Sequence, residues 1–570
     1  MTTSRNNNEL FDSLGILDMG LINPIIHSPI TNIFKNHISK DNKYNKYNKD
    51  NDINYYRLSK CINKYSDNCV HGYITNHNSS EILERDIFMK FSPLIDPIKY
   101  LNGSIKYKPE ILINSKSSNE YLTAFVDNNK CAFVDGFFSY LSSKLLNEYG
   151  FINGVDFYGS FLAQKNNFNV NITDDIECLD EYSFFGKNEN ILYTLQNKQV
   201  SSDITSNKAK KTLTIEDESV EFDSVELNVL NLPEKDYKDH LPTEQYELTE
   251  IKLNNDELSN EDDNSSRSLS LRSSNSSNST NSNNEDKDDN EDDNEDNEVN
   301  NEDDNEDSWG TCSDSSYDSN LSEEIIASIK IFPVQVIAME NCKGTLDSLI
   351  TNKLIRNDDE WGSIIIQILF CLITFKQAFE MTHNDLHSNN VMYITTSEPF
   401  IYYMLKDVIY KVPTFGKIFK IIDFGRSIYS FRGNKLCSDC FSVDGDATTQ
   451  YNFKPYFNEN KPVINPNFSF DLCRLGCALY DVILDDNTEI SKIILDWVLD
   501  DKGRNVLYKR DGSERYPDFK LYKMIARTVH NHNPISVLNK QYFGRYIISK
   551  KSFKYTQNTL INIDAIPCLC

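Results

Sequence analysis

The sequence lacks a long hydrophobic run and a signal peptide. Its most apolar stretch, residues 364–375, contains Gln367 and Thr374 and is too short to cross a bilayer core of about 30 Å. Residues 1–15 are polar and have no apolar centre, unlike a secretory signal. These absences predict a soluble, intracellular protein with no membrane association.

The sequence also lacks the regular cysteine spacing of a disulfide framework. Its 13 cysteines are scattered over 570 residues, and the only tight pairs are Cys437 with Cys440 and Cys568 with Cys570. This low density favours a reducing compartment. Cys437 and Cys440 have the spacing of half a zinc site, but no second such pair follows, so we expect free thiols.

Positive charge is scarce. The 58 basic residues stand against 86 acidic ones, and the formal net charge is −28 at pH 7. Residues 281–310 alone hold fifteen Asp or Glu and one Lys, which is half of that net charge. A global basic field is therefore excluded, and we expect no direct binding to nucleic acid.

Two runs within residues 201–320 have almost no apolar side chains. A serine-rich run at 265–282 precedes an acidic run at 284–307. Such segments cannot bury enough surface to offset the entropy lost on ordering. We predict disorder over 251–320, in a solvated insertion. The alternative is a regulatory segment phosphorylated on its serines.

Two motifs carry candidate chemistry. H-N-D-L-H-S-N-N at residues 383–390 places Asp385 five residues before Asn390, and D-F-G begins at Asp423. Phosphoryl transfer from ATP needs one carboxylate that takes the hydroxyl proton, and a carboxamide and a second carboxylate that hold metal ions. The spacing predicts Asp385 as general base and Asn390 with Asp423 as ligands of Mg²⁺.

On these motifs the chain resembles the eukaryotic-type protein kinases. His387, two residues after Asp385, resembles the haspin-like branch, where lysine is replaced by histidine. The resemblance covers residues 325–485 and implies an α+β, bilobal fold, with a small β-rich N-lobe and a large helical C-lobe. It implies ATP and Mg²⁺ as cofactors and serine or threonine hydroxyls of a protein substrate as acceptors.

The composition, rich in Asn, Ile and Lys with long polar insertions, is similar to uncharacterised kinases of giant DNA viruses. This likeness implies the host cytoplasm or the virion as location. Two alternatives to an active protein kinase stay open: a pseudokinase that scaffolds partners, and a small-molecule kinase of the aminoglycoside or choline type. The protein substrate and the oligomeric state stay open as well.

The nucleotide-binding parts are less regular. The strand-like run 87–91 resembles V-A-I-K, whose lysine pairs the α- and β-phosphates, so Lys90 is the candidate, with a solvated edge lysine as alternative. A single glycine, Gly72, stands where the family has a glycine-rich loop. Helical spacing over 133–149 indicates the helix that offers an acid to Lys90. Asp135 is the first choice for that acid, and Glu148 and Glu120 are rivals.

Residues 334–347 resemble the interlobe hinge, because a buried strand is followed by a polar linker and a helix start at Thr345. Met339 takes the gatekeeper position, and backbone groups of Glu340 and Cys342 are expected to face the adenine edge. A long apolar helix over 359–381 leads into the motif at 383.

Several departures from the family pattern matter. His387 is expected to donate one hydrogen bond to the γ-phosphate. Asn384 replaces the arginine that clamps an activation-loop phosphate, which predicts activity without that phosphorylation. Residues 400–415 are predicted to be an inserted β-hairpin, and no A-P-E tripeptide precedes Asp471. Asp471 is expected to brace the catalytic loop.

These assignments divide the chain into six parts. They are an N-terminal extension (1–55), the first part of the N-lobe (56–200), the insertion (201–320), the last N-lobe strands and hinge (321–343), the C-lobe (344–555) and a C-terminal tail (556–570).

Overall fold

Alternating apolar residues build a curled antiparallel sheet. Every second residue of the strand Cys69–Asn76 is buried, which is the two-residue period of a strand with one face on the core. The computed structural model describes residues 3–26, 55–76, 79–106, 129–197, 324–484, 486–517, 519–553 and 560–570. These residues belong to one compact unit of mixed α+β architecture. The predicted disordered insertion and Glu120 lie outside the described residues.

The strands follow each other in chain order. They are β1 (Leu21–Ile26), β2 (Tyr56–Lys64), β3 (Cys69–Asn76), β4 (Ile82–Pro93), β5 (Phe157–Asn171), β6 (Tyr193–Gln196), β7 (Ile326–Glu340), β8 (Gly344–Thr345), β9 (Val391–Thr395), β10 (Phe400–Leu405), β11 (Val408–Pro413), β12 (Lys417–Ile421), β13 (Ile428–Phe431), β14 (Asn434–Cys437), β15 (Ile547–Ile548) and β16 (Leu560–Asn562).

The helices lie between and after them. They are α1 (Thr3–Ile16), α2 (Pro97–Leu101), α3 (Cys131–Tyr149), α4 (Ile176–Asp180), α5 (Ser183–Asn188), α6 (Leu346–Thr351), α7 (Asp358–Phe379), α8 (Phe470–Ile483), α9 (Glu489–Trp497), α10 (Lys520–Thr528) and α11 (Pro534–Leu538).

The large sheet has the order β1-β5-β7-β4-β3-β2, and β6 also pairs with β7. Successive residues of β7 point to opposite faces. Val336 and Ala338 join a core with α1, α2, α4 and α5, whereas Ile337 and Met339 join the core of α3 and α7. The sheet is therefore covered on both faces, and its α3 face leads to the helical part of the chain.

The segment 198–323 does not interrupt this sheet. It leaves after β6 and returns at β7, where Gln196 and Ile326 are direct neighbours in the antiparallel ladder. Because its two ends meet, a long connection costs little more closure entropy than a short one. The position of the predicted insertion is thus compatible with an intact sheet.

Helix α7 agrees closely with the predicted span 359–381. Its first turn holds three acids, and the Asn357 side chain accepts from the Glu360 amide; both features favour a helix N-terminus. By length and composition alone α7 is able to cross a membrane, but 89% of its apolar window is buried inside the fold. Its side chains already have protein partners.

Both ends of the described chain differ from the predicted boundaries. Residues 3–26 belong to the fold rather than to a separate extension: α1 joins the core of the large sheet, and β1 pairs with β5 in that sheet. The predicted C-terminal tail also packs into the fold: β16 runs parallel to β10, and Ile561, Ile563 and Ile566 are buried. The predicted hairpin at 400–415 forms as β10 and β11, and β15 and β16 extend it to four strands.

Replacing Ile563 by alanine is expected to lower the free energy of unfolding by about 2–5 kcal/mol, because the side chain is fully buried and its loss leaves a cavity. Ile547, which is 48% exposed, is the matched control, and Ile547→Ala is expected to cost less than about 1 kcal/mol. Urea denaturation of both variants measures the difference. Equal losses would mean that the C-terminal residues do not pack as described.

Candidate active site

Two antiparallel strands bring the predicted catalytic residues together. β9 begins directly after Asn390 and β12 ends just before Asp423, and the two strands pair along their length. Beyond that ladder, the Ile422 amide donates to the Asn390 carbonyl oxygen over 3.0 Å. Asn390 Nδ2 in turn donates to the Asp385 carbonyl oxygen over 2.8 Å. Asp385, Asn390 and Asp423 therefore lie at one end of this small sheet.

Asp471 holds the backbone of the loop that carries Asp385. It lies in the first turn of α8 and is 3% exposed. Its two carboxylate oxygens accept from the amides of His383 and Asn384, over 2.9 and 2.8 Å. Burial raises the pKa of Asp471, although both amide donors oppose that rise. The bracing contact expected from the sequence is thus present.

Lys90 joins two acids. Its Nζ lies 2.7 Å from Asp135 Oδ2 and 2.7 Å from Asp423 Oδ1. Asp135 comes from α3, one turn after the start of that helix, and its side chain is 2% exposed. The rival Glu148 instead pairs with Lys144 on the surface of the same helix. Of the acids that the structure describes on α3, Asp135 is the partner of Lys90.

Burial and charge act in opposite directions in this cluster. Burial disfavours the charged form of Lys90, but the two carboxylates outweigh it and raise the lysine pKa. Burial raises the pKa of Asp135, which is also next to a second acid. Burial of Asp423 is outweighed by Lys90, which lowers the pKa of Asp423 to about 2. Asp423, whose side chain is 45% exposed, is the ionised acid that faces solvent.

Asp135 also fixes the backbone after Asp423. Its Oδ1 accepts from the Phe424 amide over 2.9 Å. Asp423 itself has φ +65°, a left-handed conformation that a non-glycine residue adopts only where its surroundings enforce it. The Phe424 ring packs 4.5 Å from Phe138 of α3 and 5.7 Å from His383, centroid to centroid. The position of Asp423 therefore depends on α3.

A tyrosine and two arginines surround the Asp385 carboxylate. Tyr522 Oη donates to Asp385 Oδ1 over 3.1 Å, and Arg474 Nε donates to Tyr522 Oη over 2.8 Å. Arg426 Nε lies 4.0 Å from Asp385 Oδ2 and its guanidinium also pairs with Asp446. Burial would raise the pKa of Asp385, but Arg426 and Arg474 outweigh it and lower that pKa. Asp385 is therefore ionised at neutral pH.

The sequence led us to expect that His387 donates a hydrogen bond to the γ-phosphate. In the structure both of its ring nitrogens lie against neighbours in the loop. Asn390 Nδ2 lies 3.1 Å from His387 Nε2, and the Asn389 amide lies 3.3 Å from Nδ1. A neutral imidazole accepts at one ring nitrogen only, so one of these two nitrogens carries the proton and the other accepts. In this arrangement both ring nitrogens of His387 face groups of the loop, and His387 orders the loop.

The predicted hinge is only partly available to a ligand. Met339 is buried, and the Glu340 amide donates to the Asp156 carbonyl oxygen over 2.9 Å. The Glu340 side chain forms a close ion pair with Lys420, which is 2% exposed. The Glu340 N–H is therefore used inside the protein, so this one of its backbone groups does not face adenine. The backbone of Cys342 has no hydrogen-bond partner within the described chain.

The β2–β3 hairpin lies in the part of the chain where the resemblance to kinases predicts a glycine-rich loop. Its turn is closed by the Tyr65 amide, which donates to the Cys69 carbonyl oxygen over 2.9 Å. Asn68 and Met89 exchange two bonds: the Met89 amide donates over 2.7 Å, and Asn68 Nδ2 donates back over 2.9 Å. The hairpin is thus fastened beside Lys90.

The donor set of the site is compatible with magnesium. Asn390 Nδ2 is held by Asp385 and His387, and no described residue donates to Asn390 Oδ1, the atom that would bind a cation. Carboxamide and carboxylate oxygens are hard ligands of the kind that Mg²⁺ takes while keeping several waters. Among the described residues there is no cluster of three or more His, Cys, Asp or Glu able to hold a metal, so Asn390 and Asp423 would act with water and phosphate.

Asn384 stands where the resemblance to kinases predicts an arginine, and it forms neutral hydrogen bonds. Asn384 is fully buried, and its Oδ1 accepts from Tyr451 Oη over 2.7 Å. Its Nδ2 donates to the Arg426 carbonyl oxygen over 3.0 Å. Asn384 thereby ties two points of the segment after Gly425 to the loop. No phosphate is needed for these contacts.

The same segment also reaches α3. Asp439 Oδ1 accepts from the Cys131 amide, in the first turn of α3, over 2.8 Å. Nearby, Cys437 and Cys440 are buried thiols within an apolar cluster. An acid from the segment thus satisfies a helix N-terminus that has no side-chain cap of its own.

Sequence reasoning missed several residues of this site. They are Tyr522, Arg474, Arg426, Asp439 and Lys420. Arg474 had a usable signal, because it stands three residues after Asp471 and so shares a face of α8. Arg426 directly follows the D-F-G motif and Lys420 lies three residues before it, whereas Tyr522 and Asp439 come from later segments and carry no local pattern.

Comparison with known proteins returned no relative: no family model and no curated protein matches the chain.

Replacing Asp471 by asparagine is expected to lower the free energy of unfolding by about 1–3 kcal/mol, because one buried amide of the loop loses its acceptor. The matched control is Asp481→Asn at the exposed end of the same helix, for which we expect a change within about 0.5 kcal/mol. Chemical denaturation measures both. A similar small effect at the two positions would contradict the bracing role of Asp471.

Proposed function

We propose that the protein is an ATP-dependent protein kinase that transfers the γ-phosphate to serine or threonine hydroxyls. The observation that carries the proposal is the convergence of Asp385, Asn390 and Asp423 next to the Lys90–Asp135 ion pair. Phosphoryl transfer is catalysed mainly by positioning and by charge stabilisation, and these are the groups it requires.

In this proposal each side chain has one task. Lys90 binds the α- and β-phosphates, and Asn390 with Asp423 holds Mg²⁺, which neutralises phosphate charge when it is bound. Asp385, which is ionised and 26% exposed, accepts the proton of the acceptor hydroxyl. Lys90 now bridges to Asp423, so nucleotide binding would exchange that contact for phosphate and metal.

A bilobal, kinase-like organisation is part of the proposal. The large sheet with α3 would form the N-lobe, and the part from β8 onward would form the C-lobe. In support, the chain passes from β7 into β8, which pairs with β9. The Lys343 amide donates to the Tyr393 carbonyl oxygen over 2.9 Å at this crossing. The neutral contacts of Asn384 support activity without phosphorylation of the segment after Gly425.

A pseudokinase that binds partners is the second candidate. Two observations favour it: the hairpin beside Lys90 is hydrogen-bonded to Met89, and Lys90 forms a direct ion pair with Asp423. Both would oppose binding of a metal–nucleotide complex. A small-molecule kinase remains a third prediction, for which turnover of ATP with aminoglycosides or choline is the screen.

Purified protein with ATP and Mg²⁺ is expected to phosphorylate itself or a serine/threonine peptide library. Asp385→Asn should lower that activity by a factor of at least about 10², because the variant cannot take the hydroxyl proton. Asp511→Asn, at an exposed turn, is the control and should retain full activity. An inactive wild type, or an Asp385→Asn variant as active as wild type, would remove this proposal.

Mg²⁺ with ATP should raise the Tm more than ATP with a chelator. A ligand that binds only the folded state stabilises it by about 2.7 kcal/mol at a hundredfold excess over Kd. Asp423→Asn should remove most of the magnesium-dependent part of this shift, whereas Asp511→Asn should not. Differential scanning fluorimetry measures the shifts, and a wild-type shift independent of Mg²⁺ would favour the pseudokinase.

A further inference from the structure

The hydrogen bonds at Asp385 have a fixed direction. A guanidinium has no acceptor, so Arg474 Nε must donate to Tyr522 Oη, at 2.8 Å. The Tyr522 proton then points to Asp385 Oδ1, at 3.1 Å, because an ionised carboxylate only accepts. One oxygen of Asp385 is therefore occupied from inside the protein, and Oδ2 is the oxygen left for an incoming hydroxyl.

The Tyr522 ring and the Arg474 side chain behind this contact are packed in the protein. The Tyr522 ring stacks on Phe519, with centroids 5.4 Å apart and an interplanar angle of 18°, and lies 6.0 Å from Phe470. Arg474 is 5% exposed and belongs to α8, three residues after Asp471. One helix thus holds the backbone of the loop through Asp471 and reaches the Asp385 side chain through Arg474.

We propose that Tyr522 is a positioning residue for Asp385, with Arg474 as its support. The inference rests on the proposed phosphoryl transfer. With Oδ1 held, Asp385 Oδ2 takes the proton of the acceptor hydroxyl while the hydroxyl oxygen bonds to the γ-phosphorus. The bond from that phosphorus to the β–γ bridging oxygen breaks, and ADP leaves with the electron pair. Tyr522 keeps its own proton throughout.

Tyr522→Phe tests the role, because it removes the hydroxyl and keeps the stacked ring. We expect kcat to fall about tenfold, the loss that follows from one hydrogen bond to a charged group. KM for ATP and the Tm shift with Mg²⁺ and ADP should not change, since the hydroxyl that is removed bonds Asp385 and Arg474, which hold no nucleotide in this proposal. Tyr480→Phe is the matched control. Tyr480 Oη lies outside the site and accepts a hydrogen bond from the Asn505 side chain over 3.0 Å.

Arg474→Lys keeps the charge but loses the planar donor. It should lower kcat in the wild type and add little to Tyr522→Phe, because both changes break the same chain of contacts. A purely structural role would instead lower the Tm of Tyr522→Phe below that of Tyr480→Phe and leave kcat unchanged.

Four results would overturn the inference. An unchanged kcat in Tyr522→Phe would deny the positioning role, and a raised kcat would mean that the hydroxyl obstructs the acceptor. Phosphate found on Tyr522 after incubation with ATP would make it an acceptor instead. A wild type without any transfer removes the proposed function and this inference together, whereas an active wild type with an unaffected Tyr522→Phe removes the inference alone.

Discussion

The ammonium group of Lys90 between two carboxylates is the contact on which the site depends. It joins β4, α3 and the residue after β12, which are more than 300 residues apart along the chain at their extremes. A buried charge without its partner is strongly destabilising, so α3, which carries the buried Asp135, is tied to Lys90. Asp135 strengthens this dependence, because it also accepts from the Phe424 amide.

Asp471 is a second buried acid that holds backbone amides. It holds the loop that carries Asp385, as Asp135 holds the residue after Asp423. Asp471 accepts from two successive amides and leaves Asn384 in a left-handed conformation, with φ +64°. Backbone strain of this kind persists only where the surroundings determine it, and it is frequent at functional sites. Helix α8 therefore controls the direction in which Asp385 leaves the loop.

Much of the candidate site was accessible from the sequence. Motif spacing paired Asp385 with Asn390, and the resemblance to kinases, together with helical periodicity, made Asp135 the first choice as the partner of Lys90. Two contacts in the site were not foreseen, and the local sequence sets neither: one joins two side chains and the other joins two backbone groups. His387 turns to Asn390, and the Glu340 amide is taken by Asp156, because buried polar groups must find partners and proximity in space decides which.

The sequence by itself determined the chemical inventory and the local elements, because hydrophobic periodicity, helix caps and short motifs act over a few residues. Tertiary structure alone decided that β1 and β16 complete sheets and that Tyr522 meets Asp385, 137 residues away in the chain. Such contacts depend on how whole elements pack. No local pattern encodes that geometry, since many distant residues share the same preferences and only burial in one fold selects among them.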